Sequence, residues 1–320
     1  MRESADTLDL APIARRVQAP GAFLTRLKRD RVFLLLLLPA IVYYALFKYV
    51  PMFGIVISFM KYEVFKGIWG SSWVGLKYYK MFFHNPDAWN LFRNTLLLGI
   101  YNLVFGFPAP IVLALLLNEV RVALFKRFVQ TISYLPHFVS TVVVTGMVAM
   151  FLSPTTGIVN DVLVWFGLEP VAFLQKAEWF RTIYVSSGIW QEIGWGSIVY
   201  LAALTTIDPQ LYDAAEIDGA SRLKRMFYVT LPGIMPAIVI LLILRTGHIL
   251  ESGFEKVYLL YNPATYETAD IIPTYVYRMG IVQSNFSYGA AIDVFMGLIG
   301  LVFVVGVNYL ARKTGETSLW

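Results

Sequence analysis

Apolar runs of about 20 residues recur along this chain, long enough to cross a bilayer core of roughly 30 Å. The first follows Val32 and reads "FLLLLLPAIVYYALFKYVPMFGIVISF". Inside lipid every backbone N–H and C=O must find a partner within the protein, so such runs fold as helices or as a closed barrel. A barrel shows segments of about ten residues in strict alternation, and none occurs here. The composition agrees: 58% of residues are hydrophobic and 15% charged, against about a quarter charged in soluble domains. The expected fold is therefore an all-α integral membrane protein with one bundled domain.

Six transmembrane helices are predicted, at about residues 32–59, 95–117, 134–152, 182–204, 234–250 and 289–311. The first is overlong and holds Pro39 and Pro51, which predicts a kink or tilt. Residues 1–31 are polar, and no Ala-x-Ala-like cleavage site follows, so the first run reads as an uncleaved span rather than a signal peptide. With the N-terminus inside, the inner segments (1–31, 118–133, 205–233, 312–320) hold 15 Lys and Arg, and the longer outer segments hold 9. That bias predicts N-in and C-in. The expected organisation is a cytoplasmic segment 1–31, a transmembrane domain 32–311 with a cytoplasmic loop 205–233, and a tail 312–320.

Several function classes have no foothold. The chain has no cysteine, which excludes disulfides, thiolate metal sites and a Cys nucleophile. No P-loop, G-x-S-x-G or H-E-x-x-H motif occurs. His84, His137 and His248 are far apart and lack metal-ligand spacing, so no metal site is predicted and each histidine reads as a packing or hydrogen-bonding residue. There is no catalytic constellation. The formal charge of +5 does not point to nucleic acid, because in a membrane protein the placement of charge matters more than its sum.

The inner loop before the fifth span is polar and amphipathic: "TTIDPQLYDAAEIDGASRLKRMFYVTLP". Asp208 followed by Pro209 suits an N-cap and the first helical position. Gly219 suits the left-handed residue that ends a helix. Leu211, Ala214, Ala215 and Asp218 then share one face, bordered by Asp213 and Glu216. A helix lying on headgroups is rich in Lys and bulky apolar residues. This one is acidic and Ala-rich, which favours docking on a protein.

These residues resemble the inner-membrane permease family of binding-protein-dependent ABC importers. The family's cytoplasmic loop has E-A-A, three residues, G, nine residues, then I-x-L-P. Here Asp213-Ala214-Ala215, Gly219 and Val229-Thr230-Leu231-Pro232 fall at those spacings, with Asp for Glu and Val for Ile. Over residues 30–315, "FKRFVQTISYLPHFVS", "IWQEIGWGSIVYLAALTTIDPQLYDAAEIDGAS" and "NPATYETADIIPTYVYRMG" resemble the carbohydrate branch, in its polysaccharide or lipoprotein-type subgroup. The resemblance implies that Asp213, Ala214, Ala215, Glu216, Asp218, Gly219, Leu231 and Pro232 form a coupling helix and loop against an ATPase subunit. It implies ATP and Mg on two partner ATPase subunits, with no cofactor in this chain. It further implies a second homologous permease, a periplasmic or extracellular solute-binding protein and a bacterial inner-membrane location. The implied substrate is an oligo- or polysaccharide, with acidic polymers such as alginate included.

Ionisable residues within spans are functional candidates. Glu192 and Arg245 lie roughly 15 Å deep in the fourth and fifth spans. They read either as a structural ion pair or as the polar lining of a substrate path, and both readings stay open. Gly188, Gln191, Glu192 and Trp195 share one helix face, which suits a sugar: an aromatic for its C–H face and hydrogen-bonders for its hydroxyls. Ordinary packing is the plain alternative, as are interfacial aromatics for Trp165, Trp179 and Tyr184. His248, Tyr288 and Asp293 complete the candidate path for an anionic sugar. The competing functions are a secondary transporter with intramembrane charges as ion relay, and a membrane anchor without transport.

Overall fold

The computed structural model describes residues 31–247, 249 and 253–313. Of the expected cytoplasmic segment 1–31 and tail 312–320, residues 1–30 and 314–320 lie outside them, as does His248. The chain divides into two units, residues 1–54 and 55–320. In the first, the helix Arg31–Tyr44 carries Pro39 and continues through a π-turn at Ala45–Tyr49. Its apolar side chains are exposed, Phe33 at 74% and Phe47 at 64%.

Among the described residues, three helical segments are long and apolar enough to cross a membrane: Arg31–Phe59, Ala88–Glu119 and Phe286–Gly306. Two bent pairs raise the number to five if each is one span: Ala123–Phe138 with Thr141–Phe151, bent by 104°, and Arg222–Gly233 with Met235–Gly247, bent by 60°. The straight third span expected at 134–152 is thus corrected. Pro136 sits in a 3₁₀ turn at Leu135–Phe138, and Ser140 restarts the chain by capping Thr141–Phe151 through the Val143 amide. A proline and an N-cap four residues apart break a helix.

The second unit is organised by one long helix, Ala177–Leu204, of 28 residues. At 1.5 Å per residue it reaches about 42 Å, although Glu178, Arg181 and Glu192 lower its apolarity. It packs along Ala88–Glu119. Arg181 bonds Asn94 at one end, and Gly196 lies against Pro110 nearer the other, so the two helices run in the same direction. Ile111, Ala114 and Leu115 interlock with Tyr200 and Leu204 below. Leu98 meets Tyr184 and Val185 above.

The segment 251–288, expected between the fifth and sixth spans, has more internal structure than its sequence shows. It folds into short helices, among them Phe254–Leu260, Tyr266–Ala269 and Ile272–Val276. These are core elements: Val257, Ala269, Ile271, Ile272 and Thr274 are at most 1% exposed. Their polar side chains bond one another. Thr274 Oγ1 donates to Asp270 at 2.8 Å, and Arg278 Nη2 donates to the same carboxylate at 2.6 Å. Among the described residues the helical fold carries one small β element, a two-residue ribbon pairing Met60 with Trp73 and Lys61 with Ser72.

Candidate functional site

A polar cavity of about 450 Å³ lies where several elements converge. The long helix supplies Gly188, Gln191 and Glu192. The π-turn Asn102–Gly106 supplies Asn102, the helix Met235–Gly247 supplies Arg245, and Phe254–Leu260 supplies Lys256. Helix breaks are what bring polar groups here, because each break frees backbone groups and side chains that a continuous apolar helix would hide.

Glu192 and Arg245 share this cavity, as their common depth predicts. They do not pair with each other. Glu192 Oε2 lies 3.0 Å from His137 Nδ1. Arg245 Nη2 donates to Asn102 Oδ1 at 3.4 Å and stays exposed to the cavity. The structural-pair alternative therefore gives way to two separate contacts. Gln191 is buried, and its Nε2 donates to the Val139 carbonyl at 3.2 Å. That carbonyl sits at the break between the bent helices, so Gln191 satisfies a group the break leaves without a helical partner.

Trp195 is not part of the cavity wall. Its ring stacks on His137, with centroids 4.4 Å apart and planes 3° from parallel. With Gln191 and Glu192 it braces the broken pair. Tyr288 is 1% exposed among Tyr78, Phe82 and Leu91, and its hydroxyl is 3.2 Å from that of Tyr275. Asp293 is exposed on the last helix and does not line the cavity. Tyr184 is buried at 6% exposure rather than interfacial, whereas Trp165 is 81% exposed.

Two residues escaped the sequence reading. His137 was one of three scattered histidines, and only the fold places it on Glu192. Lys256 was counted as an outer-loop charge. It is 9% exposed, and its Nζ has no hydrogen-bond partner. The available signal was Gly253 followed by an apolar run, "VYLL", too greasy for a loop. Gly253 has φ +102°, and a Cβ there would lie 2.2 Å from the Tyr184 hydroxyl, so only glycine starts this helix so close to the long one.

The hairpin 208–232 folds as its sequence predicts. Asp208 accepts from the Gln210 amide at 2.9 Å, and Pro209 opens the helix Pro209–Ile217. Gly219 has φ +74°. The Ala220 amide reaches the Ala215 carbonyl at 2.9 Å, and the Gly219 amide reaches Glu216 at 3.0 Å, the paired bonds of a left-handed helix stop. Arg225 bonds Glu216 at 2.5 Å, and Tyr212 donates to Thr230 at 3.1 Å, so the two legs are tied together. Asp213, Ala214, Glu216, Asp218 and Gly219 are exposed, Ala215 is half-buried, and Leu231 packs beneath against the core of the bundle.

A helical bundle with membrane-length apolar segments, a polar cavity between broken helices and an exposed tied hairpin defines a membrane permease subunit. Residues 106–316 match the family described as binding-protein-dependent transport system inner membrane component, and this chain belongs to that family. It is accordingly an inner-membrane protein. It is 50% identical, over 93% of its length and 92% of the relative's, to the polygalacturonan/rhamnogalacturonan transport system permease protein YteP of Bacillus subtilis. Protein LplB of the same organism is 46% identical over 93% of this chain and 94% of that one. Among solved structures, a chain of a bacterial ABC transporter involved in the import of the acidic polysaccharide alginate aligns with a TM-score of 0.85. Identity there is 45%, covering 91% of this chain and 98% of the other. A bacterial alginate ABC transporter in complex with alginate pentasaccharide-bound periplasmic protein gives a TM-score of 0.86 at 44% identity, covering 92% and 99%.

Proposed function

We propose that this chain is the transmembrane permease subunit of an ATP-driven importer of an oligo- or polysaccharide, an acidic polymer such as alginate being the first candidate. A periplasmic or extracellular solute-binding protein delivers the saccharide. A second homologous permease completes the path, and two ATPase subunits hold ATP and Mg. The hairpin 208–232 couples hydrolysis to the cavity.

The observation that carries this reading is the hairpin's surface. Ile217 is 87% exposed, Leu211 54%, Leu223 66% and Tyr228 79%. Apolar groups held out by a rigid, capped and cross-tied loop call for a covering surface, and the alternating acids and alanines favour a protein groove over lipid. The saccharide is supported by the relatives' transport names and by the cavity, whose amide, carboxylate and cationic groups suit hydroxyls and carboxylates.

The same reading has six crossings with both ends inside. The parallel run of Ala88–Glu119 and Ala177–Leu204 supports it, because the chain between two parallel spans must recross, and the bent pair 123–151 is the segment available to do so.

Transport by the assembled complex tests the reading. Uptake into vesicles is measured for neutral and acidic oligosaccharides, with and without ATP and binding protein. ATP- and binding-protein-dependent uptake of a saccharide is expected. Uptake driven by an ion gradient without ATP would instead establish the secondary-transporter reading.

A further inference from the structure

A buried ammonium without a partner is costly, and Lys256 is such a group. It is 9% exposed, and its Nζ makes no hydrogen bond. No carboxylate of the described residues lies within ion-pair distance of it. The side chain lies against the cavity wall. Nζ is 5.5 Å from the centre of the Tyr184 ring, and a Cβ added at Gly188 would be 3.4 Å from Nζ. Gly188 therefore leaves the space on that side open. A cation over a ring face gains partial compensation, yet three N–H donors remain unused.

The other charged groups around this cavity are accounted for. Glu192 is engaged by His137 at 3.0 Å. Arg245 has one long contact, 3.4 Å to Asn102, and Glu255 is exposed. Two cations, Lys256 and Arg245, thus line this cavity together with Glu192, and neither is in an ion pair with a carboxylate of the described residues. The four-carbon stem of Lys256 lets its ammonium swing into the space beside Gly188 without backbone motion.

We propose that Lys256, with Arg245, forms the substrate-carboxylate site of this permease and selects uronate-containing saccharides over neutral ones of the same size. This rests on the saccharide-import reading and adds to it the residue that reads the charge. A carboxylate entering the cavity accepts charge-assisted bonds from the ammonium, and the guanidinium offers a second, forked set of donors. Glu192, one turn from Gly188 on the long helix and already bonded to His137, remains an acceptor for hydroxyls.

The test uses the complete importer in its host, with two probes: an unsaturated-end-free uronate tetrasaccharide and its fully methyl-esterified, neutral counterpart. The variants are Lys256→Gln, Lys256→Arg and Gly188→Val. The readout is the ratio of acid to ester uptake in each variant divided by that in wild type, so the binding protein's own preference cancels. Lys256→Gln is expected to lower this ratio about tenfold or more, and Lys256→Arg to hold it within about threefold. Gly188→Val keeps the charge but fills the space beside it, and is expected to lower the ratio as well. Assembly and thermal stability of each complex are measured in parallel.

Equal loss of both probes in Lys256→Gln, or no loss of either, overturns the assignment and leaves Lys256 a packing residue. If Lys256→Gln does not assemble, Gly188→Val decides, and an unchanged ratio there overturns it. A wild-type importer that takes up the ester and not the uronate also overturns this inference while leaving saccharide import intact. Failure of wild type on every saccharide removes the import reading itself.

Discussion

Asp270 shows how single residues hold one end of the bundle. Its side chain is 6% exposed and accepts from Thr274 and from two nitrogens of Arg278, at 3.2 and 2.6 Å. Its carbonyl accepts from Asn94, which in turn accepts from Arg181. Asp270→Ala removes the carboxylate from beneath a guanidinium that is only 27% exposed. A loss of about 2–4 kcal/mol is expected, somewhat under that of a fully buried pair because Arg278 is partly wet. Thermal melting of the detergent-solubilised protein measures it, and a shift no larger than that of a surface Asp→Ala control would count against the network. No sequence pattern announces this network, since its members are set by turns between short helices. Trp195 shows the opposite failure. Its spacing with Gln191 and Glu192 was legible, but the partner of that face, His137, comes from a break 58 residues earlier, and periodicity carries no information about which element lies opposite.

At the scale of elements, helix stops and starts were the most legible features, because they depend on residues adjacent in sequence. Asp208, Pro209 and Gly219 delimit the hairpin helix as capping chemistry requires. The break at Pro136 and Ser140 was overlooked because the surrounding run is apolar on both sides. Helix contacts were not legible at all. Gly194 is an instance: a Cβ there would lie 2.0 Å from the Ser133 carbonyl oxygen, so the long helix touches the backbone of Ala123–Tyr134 at this point. Gly194→Ala forces the two apart and is expected to cost about 1–3 kcal/mol by overpacking, again read as a fall in melting temperature; an unchanged melt would show that the contact yields freely. The hairpin allows a cleaner separation of folding from docking. Ile217 is 87% exposed, so Ile217→Asp is expected to leave melting within about 0.5 kcal/mol of wild type while abolishing co-purification of the ATPase subunits. Gly219→Val, which puts a β-branched residue at φ +74°, is expected to weaken both the helix end and the docking. Retained co-purification in both variants would place the hairpin on lipid.

Across the whole molecule, hydropathy announced a helical membrane protein, because the bilayer imposes its length on the sequence. It left the interior of the segment 251–288 undescribed, because core packing there is built from short helices too brief to show a period. The crossing number is the remaining whole-chain property, and the absence of cysteine makes it directly measurable. Single cysteines at exposed positions are unique labels in this chain. Phe65, Leu124, Leu168 and Leu223 are 104%, 77%, 57% and 66% exposed, and each lies in a different connection between the proposed spans. With six crossings and both ends inside, Phe65→Cys and Leu168→Cys react with a membrane-impermeant maleimide in intact, outer-membrane-permeabilised cells. Leu124→Cys and Leu223→Cys react only after the inner membrane is opened. The pair 168 and 223 is decisive, because the long helix is the one element of membrane length between them. If that helix, with Glu192 at its middle, does not cross, both positions label from the same side. If the bent pair 123–151 merely dips and returns, positions 124 and 168 share a side instead. Opposite sidedness at every step leaves the long helix as a true span, which puts Glu192 and the cavity beside it at membrane depth, where a saccharide in transit passes them.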